Sequence, residues 1–525
     1  MAEAPTAKPS QGGASIQPLE GGARLAASLA VGLATFMNVL DTSIANVSIP
    51  AIAGDLGVSP NQGTWTITSF AVANAISVPL TGWLTERFGQ VRLFLATIAL
   101  FVIASLLCGL AVSMPMLVFF RVVQGAVAGP MIPLSQTLLL STYPREKAGM
   151  ALATFSLTIL VAPVVGPVLG GWITDNFSWP WIFFINVPVG IIALGMTWVL
   201  YRDRETPRVK KPIDVAGLAL LVIWVGALQL MLDNGKDLDW FSSPLIIGLG
   251  IAAALAFCLF LVWELTEEHP VVDLALFRNR NFSTGTMAIA LAYGAYFGSI
   301  VLVPLWLQRF MGYTATDAGL VLAPVGFLAL FLTPLVGRTS GKVDPRIYAT
   351  ASLIIFAVVA WMRSRFNTEI DLWTLVLPTI IQGAAVSCFF IPLVNLALGG
   401  LRQDQIAAGS GLNNFLRITA GAFATSAATT LWEGRAALHH AQLVEHLTPG
   451  DPQTSATLEQ LARLGMQGAE RFAYLERIVN QQAFTLSALD LFYGSAILLV
   501  LLIPLLWIAR PPKAGPRGAA AAGAH

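Results

Sequence analysis

Leu25-Ala-Ala-Ser-Leu-Ala-Val-Gly-Leu-Ala-Thr-Phe-Met-Asn-Val-Leu-Asp41-Thr-Ser-Ile-Ala-Asn-Val-Ser-Ile-Pro-Ala-Ile52 is long and apolar enough to cross a bilayer, and it contains one ionisable residue. No acid or base precedes Asp41 for sixteen residues. A carboxylate at that depth is expensive in hydrocarbon, so it is expected to face a cavity or a partner and to mark an ion or proton path. The comparable charges elsewhere in the apolar runs are Arg121 and Arg417. A structural acid neutralised by a neighbouring helix is the plainer reading of the same residue.

The composition agrees with a membrane protein. Of 525 residues, 56% are hydrophobic and 11% charged, with a mean hydropathy of +0.71; soluble domains carry about 25% charged residues. A net charge of +1 offers no electrostatic footprint for nucleic acid. Cys108, Cys258 and Cys388 lie in apolar runs without CxxC spacing, which reads as packing thiols. The first run follows a polar stretch, and no small-residue cleavage pattern ends it, so it is expected to be a retained helix.

A spanning helix needs about 20 mostly apolar residues. That length picks out fourteen runs: 25–47, 64–84, 93–113, 115–140, 148–173, 181–201, 213–232, 244–264, 282–307, 316–337, 347–363, 372–398, 405–430 and 489–509. The expected fold is therefore an all-α membrane protein. With the N-terminus inside, 20 of the 30 Lys and Arg residues fall in the tails and even-numbered loops. Eight fall on the opposite face, half of them in the long polar segment 431–488. Basic residues favour the cytoplasmic side, so both termini are expected there and 431–488 outside.

The chain also repeats. Gln124-Gly125 is followed by Ile132-Pro133-Leu134, and Gln382-Gly383 by Ile391-Pro392-Leu393, about 258 residues on. The loop Gly82-Trp-Leu-Thr-Glu-Arg-Phe-Gly-Gln-Val-Arg92 has a weaker echo in Gly337–Arg346. Two six-helix halves with two inserted helices are the architecture of a transporter whose site lies between repeats. The expected organisation is a tail 1–24, a first half 25–201, a linker 202–281 with two extra spans, and a second half 282–510. A disordered tail, 511–525, completes it.

These residues resemble a family. Leu40-Asp41-Thr-Ser-Ile-Ala-Asn-Val-Ser-Ile-Pro50, the Gly82–Arg92 loop, Arg121-x-x-Gln124-Gly125, Gly166-Pro167-x-x-Gly170-Gly171 and Trp181-Ile-Phe-Phe-Ile-Asn186-Val-Pro188-Val-Gly190 occur in order on the expected helices. Together they are similar to the fourteen-span drug:proton antiporters of the major facilitator superfamily, in the EmrB/QacA group. Glu86 stands where the loop motif usually has Asp. The resemblance implies multidrug efflux from the inner membrane, driven by protons rather than ATP, with no cofactor. It also implies a periplasmic adaptor and, through it, an outer-membrane channel, with 431–488 a candidate docking segment.

Each motif has a physical reading of its own. In the loop, Gly82 and Gly89 allow close approach of helix ends, while Glu86, Arg87 and Arg92 can pair with neighbouring termini as a latch. Asp41 and Arg121 sit ~9 Å and ~8 Å from the outer helix ends at 1.5 Å per residue. That equal depth permits contact, with Gln124 one turn from Arg121. Alternation of the carboxylate between a cation and an apolar surrounding is a way to release and rebind a proton. The small residues Gly166 and Gly170, four apart, allow backbone-to-backbone packing, and Pro163 and Pro167 bend the helix; Pro167 and Gly171 complete the motif that the resemblance links to antiport.

The substrate surface is the least specified. Candidates are Asn38, Trp65, Phe70, Asn74 and Gln136 in the first half. Tyr293, Phe297, Gln382, Phe389, Asn395, Asn413 and Arg417 are those of the second. A broad apolar cavity with few polar anchors suits varied lipophilic drugs, neutral, weakly acidic or cationic. His439, His440 and His446 read as solvated helix residues rather than a metal set. An ATP-driven exporter would need a phosphate loop, and Gly337-Arg-Thr-Ser-Gly-Lys342 is one residue short of it. A proton-coupled symporter or facilitator of a small nutrient shares the same expected fold. A membrane enzyme would need a catalytic cluster that the runs lack.

Overall fold

The computed structural model describes residues 19–144, 148–208, 212–268, 270–339, 343–402, 405–448 and 451–510, which hold helices and no strand. The expected disordered tail 511–525 lies outside the described residues, as do residues 1–18, while Gly21–Arg24 already form the first turn of a helix. In chain order the long helices are α1 (Gly21–Val47), α2 (Pro60–Ser77), α3 (Gln90–Gly109), α4 (Met114–Thr142) and α5 (Ala148–Asn176). They continue with α6 (Trp181–Tyr201), α7 (Val215–Asn234), α8 (Pro244–Thr266), α9 (Arg280–Phe310) and α10 (Ala315–Gly337). The last are α11 (Pro345–Arg363), α12 (Leu372–Leu398), α13 (Ile406–Glu445) and α14 (Ala469–Ile508). Among the described residues, 11 helices are long and apolar enough to cross a membrane, or 12 with α2 joined to the helix after it. Helices α5 and α13 occupy the expected runs 148–173 and 405–430 without entering that count, so fourteen spans stands as an expectation.

Three prolines coincide with interruptions of the expected runs. The run 64–84 is not continuous: α2 ends at Ser77, and a separate helix, Thr81–Phe88, follows at 61°. Pro79 falls in the gap, where its ring and missing N–H stop the ladder. Pro130 and Pro324 stand at equivalent interruptions within α4 and α10. Starts are fixed by side chains that accept orphan N–H groups: Asn279 at α9, Asp371 at α12, and a reciprocal Thr314–Asp317 box at α10.

Three apolar clusters build the bundle. One fills the first half, around Met37, Phe94, Phe101 and Leu138. A second binds α9, α11, α12, α13 and α14 to the inserted helices α7 and α8, through Trp224, Phe260, Phe356 and Phe389. The third lies at the end of the bundle away from the chain termini, here called distal, and joins both halves through Ile44, Val47, Val301, Trp306 and Trp432.

Among the described residues the polar segment 431–488 is largely helical, and it lengthens α13 and α14. Between α13 and α14 a separate helix spans Pro452–Arg463, and α14 begins at Ala469. Gly465 and Gly468 between them have φ of 91° and 52°, a backbone region glycine enters freely. His439 meets Asp490 at 2.7 Å and His440 meets Glu476 at 2.9 Å, each tying α13 to α14. No group of three metal-ligating side chains occurs among the described residues.

Candidate functional site

Asp41, on α1, is wholly buried and meets Arg121 of α4 at 2.5 Å. The pair is one link of a network. Asp41 Oδ2 accepts from Arg121, while Oδ1 accepts from Gln124 Nε2 at 3.1 Å and from Asn186 Nδ2 at 2.9 Å. The guanidinium also donates to Gln124 Oε1 at 2.7 Å and to the Thr66 carbonyl of α2 at 2.8 Å. Its face lies over the Phe70 ring, with Cζ 4.2 Å from the centroid. Asn186 donates in turn to Ser105 of α3, which donates to the Phe183 carbonyl. Five helices of the first half thus converge on one carboxylate. A buried ion pair survives only when the remaining lone pairs and protons are satisfied, and here both carboxylate oxygens are.

The structure brings the expected residues Asp41, Arg121 and Gln124 together. The sequence reading does not single out their further partners Asn186 and Ser105, although Asn186 stands inside a motif it quotes. It places Phe70 on the substrate surface, whereas the ring is the floor beneath Arg121. It also counts few charges among the apolar runs. The structure adds Asp233, Glu264 and Arg363 as buried groups, at 8%, 4% and 3% exposure. Each stands at a run's edge, where a sequence window trims it away while neighbouring helices cover it.

The glycine motif of α5 touches two partners. A Cβ on Gly166 would stand 2.6 Å from Ser43 Oγ, and one on Gly170 would stand 2.5 Å from the Ile44 carbonyl oxygen, so this face rests on α1 just past Asp41. On the other face, a Cβ on Gly171 would stand 2.3 Å from the Ala315 carbonyl oxygen, and one on Gly319 would stand 2.2 Å from that of Pro167. Helix α5 is therefore pressed between the Asp41 helix and α10 of the other half. Asp175, at its distal end, accepts from the Thr316 backbone N–H at 2.7 Å.

The loop after α2 is organised by a residue outside it. Glu205, just past α6, accepts from the backbone N–H groups of Val91 and Arg92 at 3.0 and 2.9 Å. A carboxylate at a helix N-terminus complements its dipole. Gly89 has φ of 90°, and a Cβ there would collide with Glu205. Arg92 lies 3.8 Å from the same carboxylate, Arg87 and Gly82 are exposed, and Glu86 is half-buried. Glu205 stands at the start of the linker, so at this point the expected latch is a clamp between α3 and the segment after α6.

The other candidates separate by environment. Asn38 donates to the Ala128 carbonyl and ties α1 to α4. Gln382 is bound by Arg363 at 2.7 Å, and Phe389 is packed edge-on against Phe356. Gln136 and Asn395 are exposed, and Trp65 is half-buried. Asn74 and Asn413 are buried. Tyr293, Phe297 and Arg417 do come together: the rings stack 5.6 Å apart, and the guanidinium sits 4.9 Å above Tyr293 and 5.6 Å from Phe390. Arg417 is half-buried, with Asn414 as a neighbour at 3.1 Å.

The internal repeat extends into this chemistry. Gly125 and Gly383 each press a neighbouring backbone carbonyl, of Phe70 and Val325, where a Cβ would stand 2.3 and 2.1 Å away. At the same 258-residue spacing, Asp41 corresponds to Ser299, Ser105 to Arg363, Arg121 to Thr379 and Gln124 to Gln382. Those four second-half residues also meet: Arg363 donates to Ser299 and Thr379, each at 3.1 Å, and to Gln382 at 2.7 Å. The second half repeats the constellation without its carboxylate.

Two helical halves that span a membrane around buried charged groups define a multi-pass membrane protein of the transporter kind. Residues 31–425 match the family model described as Major Facilitator Superfamily. The chain is 50% identical over 510 residues to "Multidrug export protein EmrB" of Escherichia coli strain K12, covering 97% of this chain and 99% of that one. It is 48% identical over 495 residues to "Fatty acid resistance protein FarB" of Neisseria gonorrhoeae, covering 94% and 98%. A solved bacterial homologue of the human lysosomal transporter Spinster matches with a TM-score of 0.58 at 16% identity, over 93% of this chain and 97% of that one, a likeness of fold. The chain belongs to the Major Facilitator Superfamily.

Proposed function

We propose that this protein exports lipophilic drugs from the cytoplasm across the inner membrane in exchange for protons, with both termini cytoplasmic and no cofactor. The relatives named for multidrug export and for fatty acid resistance support the substrate class. The observation that carries the reading is the buried Asp41–Arg121 pair, because Arg121 does not depend on Asp41 alone. When Asp41 binds a proton its attraction for the guanidinium falls, and Gln124 Oε1 and the Thr66 carbonyl still hold the arginine. Those two contacts lower the cost of neutralising Asp41, which favours a proton carrier.

The glycine face of α5 would transmit the change. It contacts α1 at Ser43 and Ile44, and it contacts α10 of the other half at Ala315. A shift of α1 on protonation alters the seat of α5 and so the contact between halves, a rigid-body route to alternating access. Arg417, flanked by Tyr293, Phe297 and Phe390, suits a lipophile with a carboxylate or phenolate: rings for the apolar body, a guanidinium for the charge. The extended α13 and α14 would offer the periplasmic adaptor its docking surface, and the adaptor would lead to an outer-membrane channel.

The test uses purified protein in liposomes with a trapped pH dye and an imposed pH gradient. Proton flux opposite to drug movement, triggered by lipophilic weak acids or cations, is the expected result. Flux in the same direction as substrate would overturn antiport in favour of symport.

A further inference from the structure

The inserted helix α7 carries a carboxylate that the site above does not use. Asp233 is buried near the distal end of α7, and its partners come from both halves of the protein. Thr68 of α2 donates to Oδ2 at 3.1 Å, and Gln229 of α7 donates to Oδ1 at 2.8 Å. Ser426 of α13 also donates to Oδ1, while Gln229 reaches Ser426 at 2.6 Å. Asn61 approaches the Asp233 carbonyl at 3.5 Å. Helix α2 belongs to the first half and α13 to the second, so this one side chain fastens the two together.

The donors to this carboxylate are neutral, in contrast to Asp41 with its arginine. Helix α2 contains no ionisable residue. Helix α8, beside α7, has Glu264 toward its opposite end, where it accepts from the Val272 N–H. On the distal side, Lys236 beyond α7 and Glu433 on α13 pair with each other. Arg417 lies nine residues before Ser426 on α13, ~13 Å along the axis at 1.5 Å per residue. A carboxylate buried without a counter-charge is costly and tends to neutralise. A second observation points the same way: Gln229 Oε1 is buried with no hydrogen-bond donor. An amide flip would turn that oxygen toward Asp233, where a carboxylic O–H donates to it, while the amide N–H2 gives up its bonds to Asp233 and Ser426.

We propose that Asp233 is a second proton-binding site, placed by the inserted helix pair at the seam between halves. Its protonated form keeps the distal seam closed, and loss of the proton opens it. The neutral carboxyl donates to one neighbour and accepts from the others, so Thr68, Gln229 and Ser426 stay joined. The ionised form has three neutral donors and no cation, so it gains from water that enters as α2 and α13 part. The idea rests on proton-driven antiport as the function, and it gives the inserted helices a part in it.

The test reads the seam directly. Paired spin labels on Asn176→Cys and Glu369→Cys, with the three native cysteines replaced, report the distal separation in lipid nanodiscs across pH 5 to 9. The native carboxyl is expected to give a pH-dependent step in the open fraction. Asp233→Asn, neutral at every pH, is expected to remove that step, and Asp233→Glu to keep it at a shifted midpoint. An unchanged step in Asp233→Asn, with its melting temperature within a few degrees of native, would overturn the proposal. So would loss of the step in the Glu variant with the fold intact. Drug-triggered proton flux, measured on the same preparations, distinguishes the two failures: absent flux in the native protein removes the antiport reading, whereas the label distances judge Asp233 alone.

Discussion

Gly171 of α5 and Ala315 of α10 stand so close that a Cβ on the glycine would lie 2.3 Å from the alanine's carbonyl oxygen. One residue to the N-terminal side, Gly170 presses the Ile44 carbonyl of α1 in the same way. The helix between Asp41 and the opposite half thus touches backbone on both sides, the Ile44 carbonyl on one and the Ala315 carbonyl on the other.

That geometry predicts a steep response to small added bulk. Gly171→Val and Gly319→Val are expected to reduce export at least tenfold while the protein still reaches the membrane. Gly195→Ala is the control, since nothing lies within 4 Å of a Cβ there, and a helical Gly→Ala change gains about 1 kcal/mol. Drug susceptibility of cells, read with immunoblots of membrane fractions, checks both.

The buried pair predicts a stability pattern. Asp41→Ala strands the Arg121 charge and is expected to cost about 3–5 kcal/mol. Asp41→Ala with Arg121→Met removes both charges and is expected to recover most of that loss. Chemical unfolding in detergent, arranged as a double-mutant cycle, measures the coupling.

Arg363 predicts a different pattern, because its named partners Ser299, Thr379 and Gln382 are neutral. Gln382→Leu removes one acceptor from a buried cation and is expected to cost about 1–3 kcal/mol. Arg363→Met with Gln382→Leu is expected to be milder than the single leucine change. Melting temperatures of the three proteins decide it.

Arg417→Ala is expected to weaken transport of acidic lipophiles and leave neutral ones nearly unchanged. A charge-assisted hydrogen bond contributes about 1.5–3 kcal/mol, so the apparent affinity for an acidic drug should fall roughly tenfold or more. Competition between an acidic and a neutral drug of similar hydrophobicity tests this in one assay.

The fold was legible because hydrocarbon imposes length and apolarity on every span, and repeated Gln-Gly and Ile-Pro-Leu strings reveal the two halves. Asp41, Arg121 and Gln124 were legible for a related reason: charge or amide deep in an apolar run has few bland explanations. Asp233 and Arg363 were not, since both stand at run ends where a linear window cannot distinguish a solvated cap from a group covered by another helix. The Gln229-x-x-x-Asp233 spacing, two polar residues on one helical face, was the available signal. Phe70 and Gln382 were misplaced because pocket-facing and site-packing polar or aromatic residues look alike in sequence. The helix breaks at Pro79 and Pro324 were hidden by the apolar residues around them.

The central claim is that Asp41 carries the coupling proton, and the most direct measurement is drug accumulation in liposomes containing Asp41→Asn. This variant is expected still to exchange labelled drug for unlabelled drug down its gradient but no longer to accumulate drug when a pH gradient is imposed. Accumulation against a concentration gradient, driven by protons at the native rate, would contradict it.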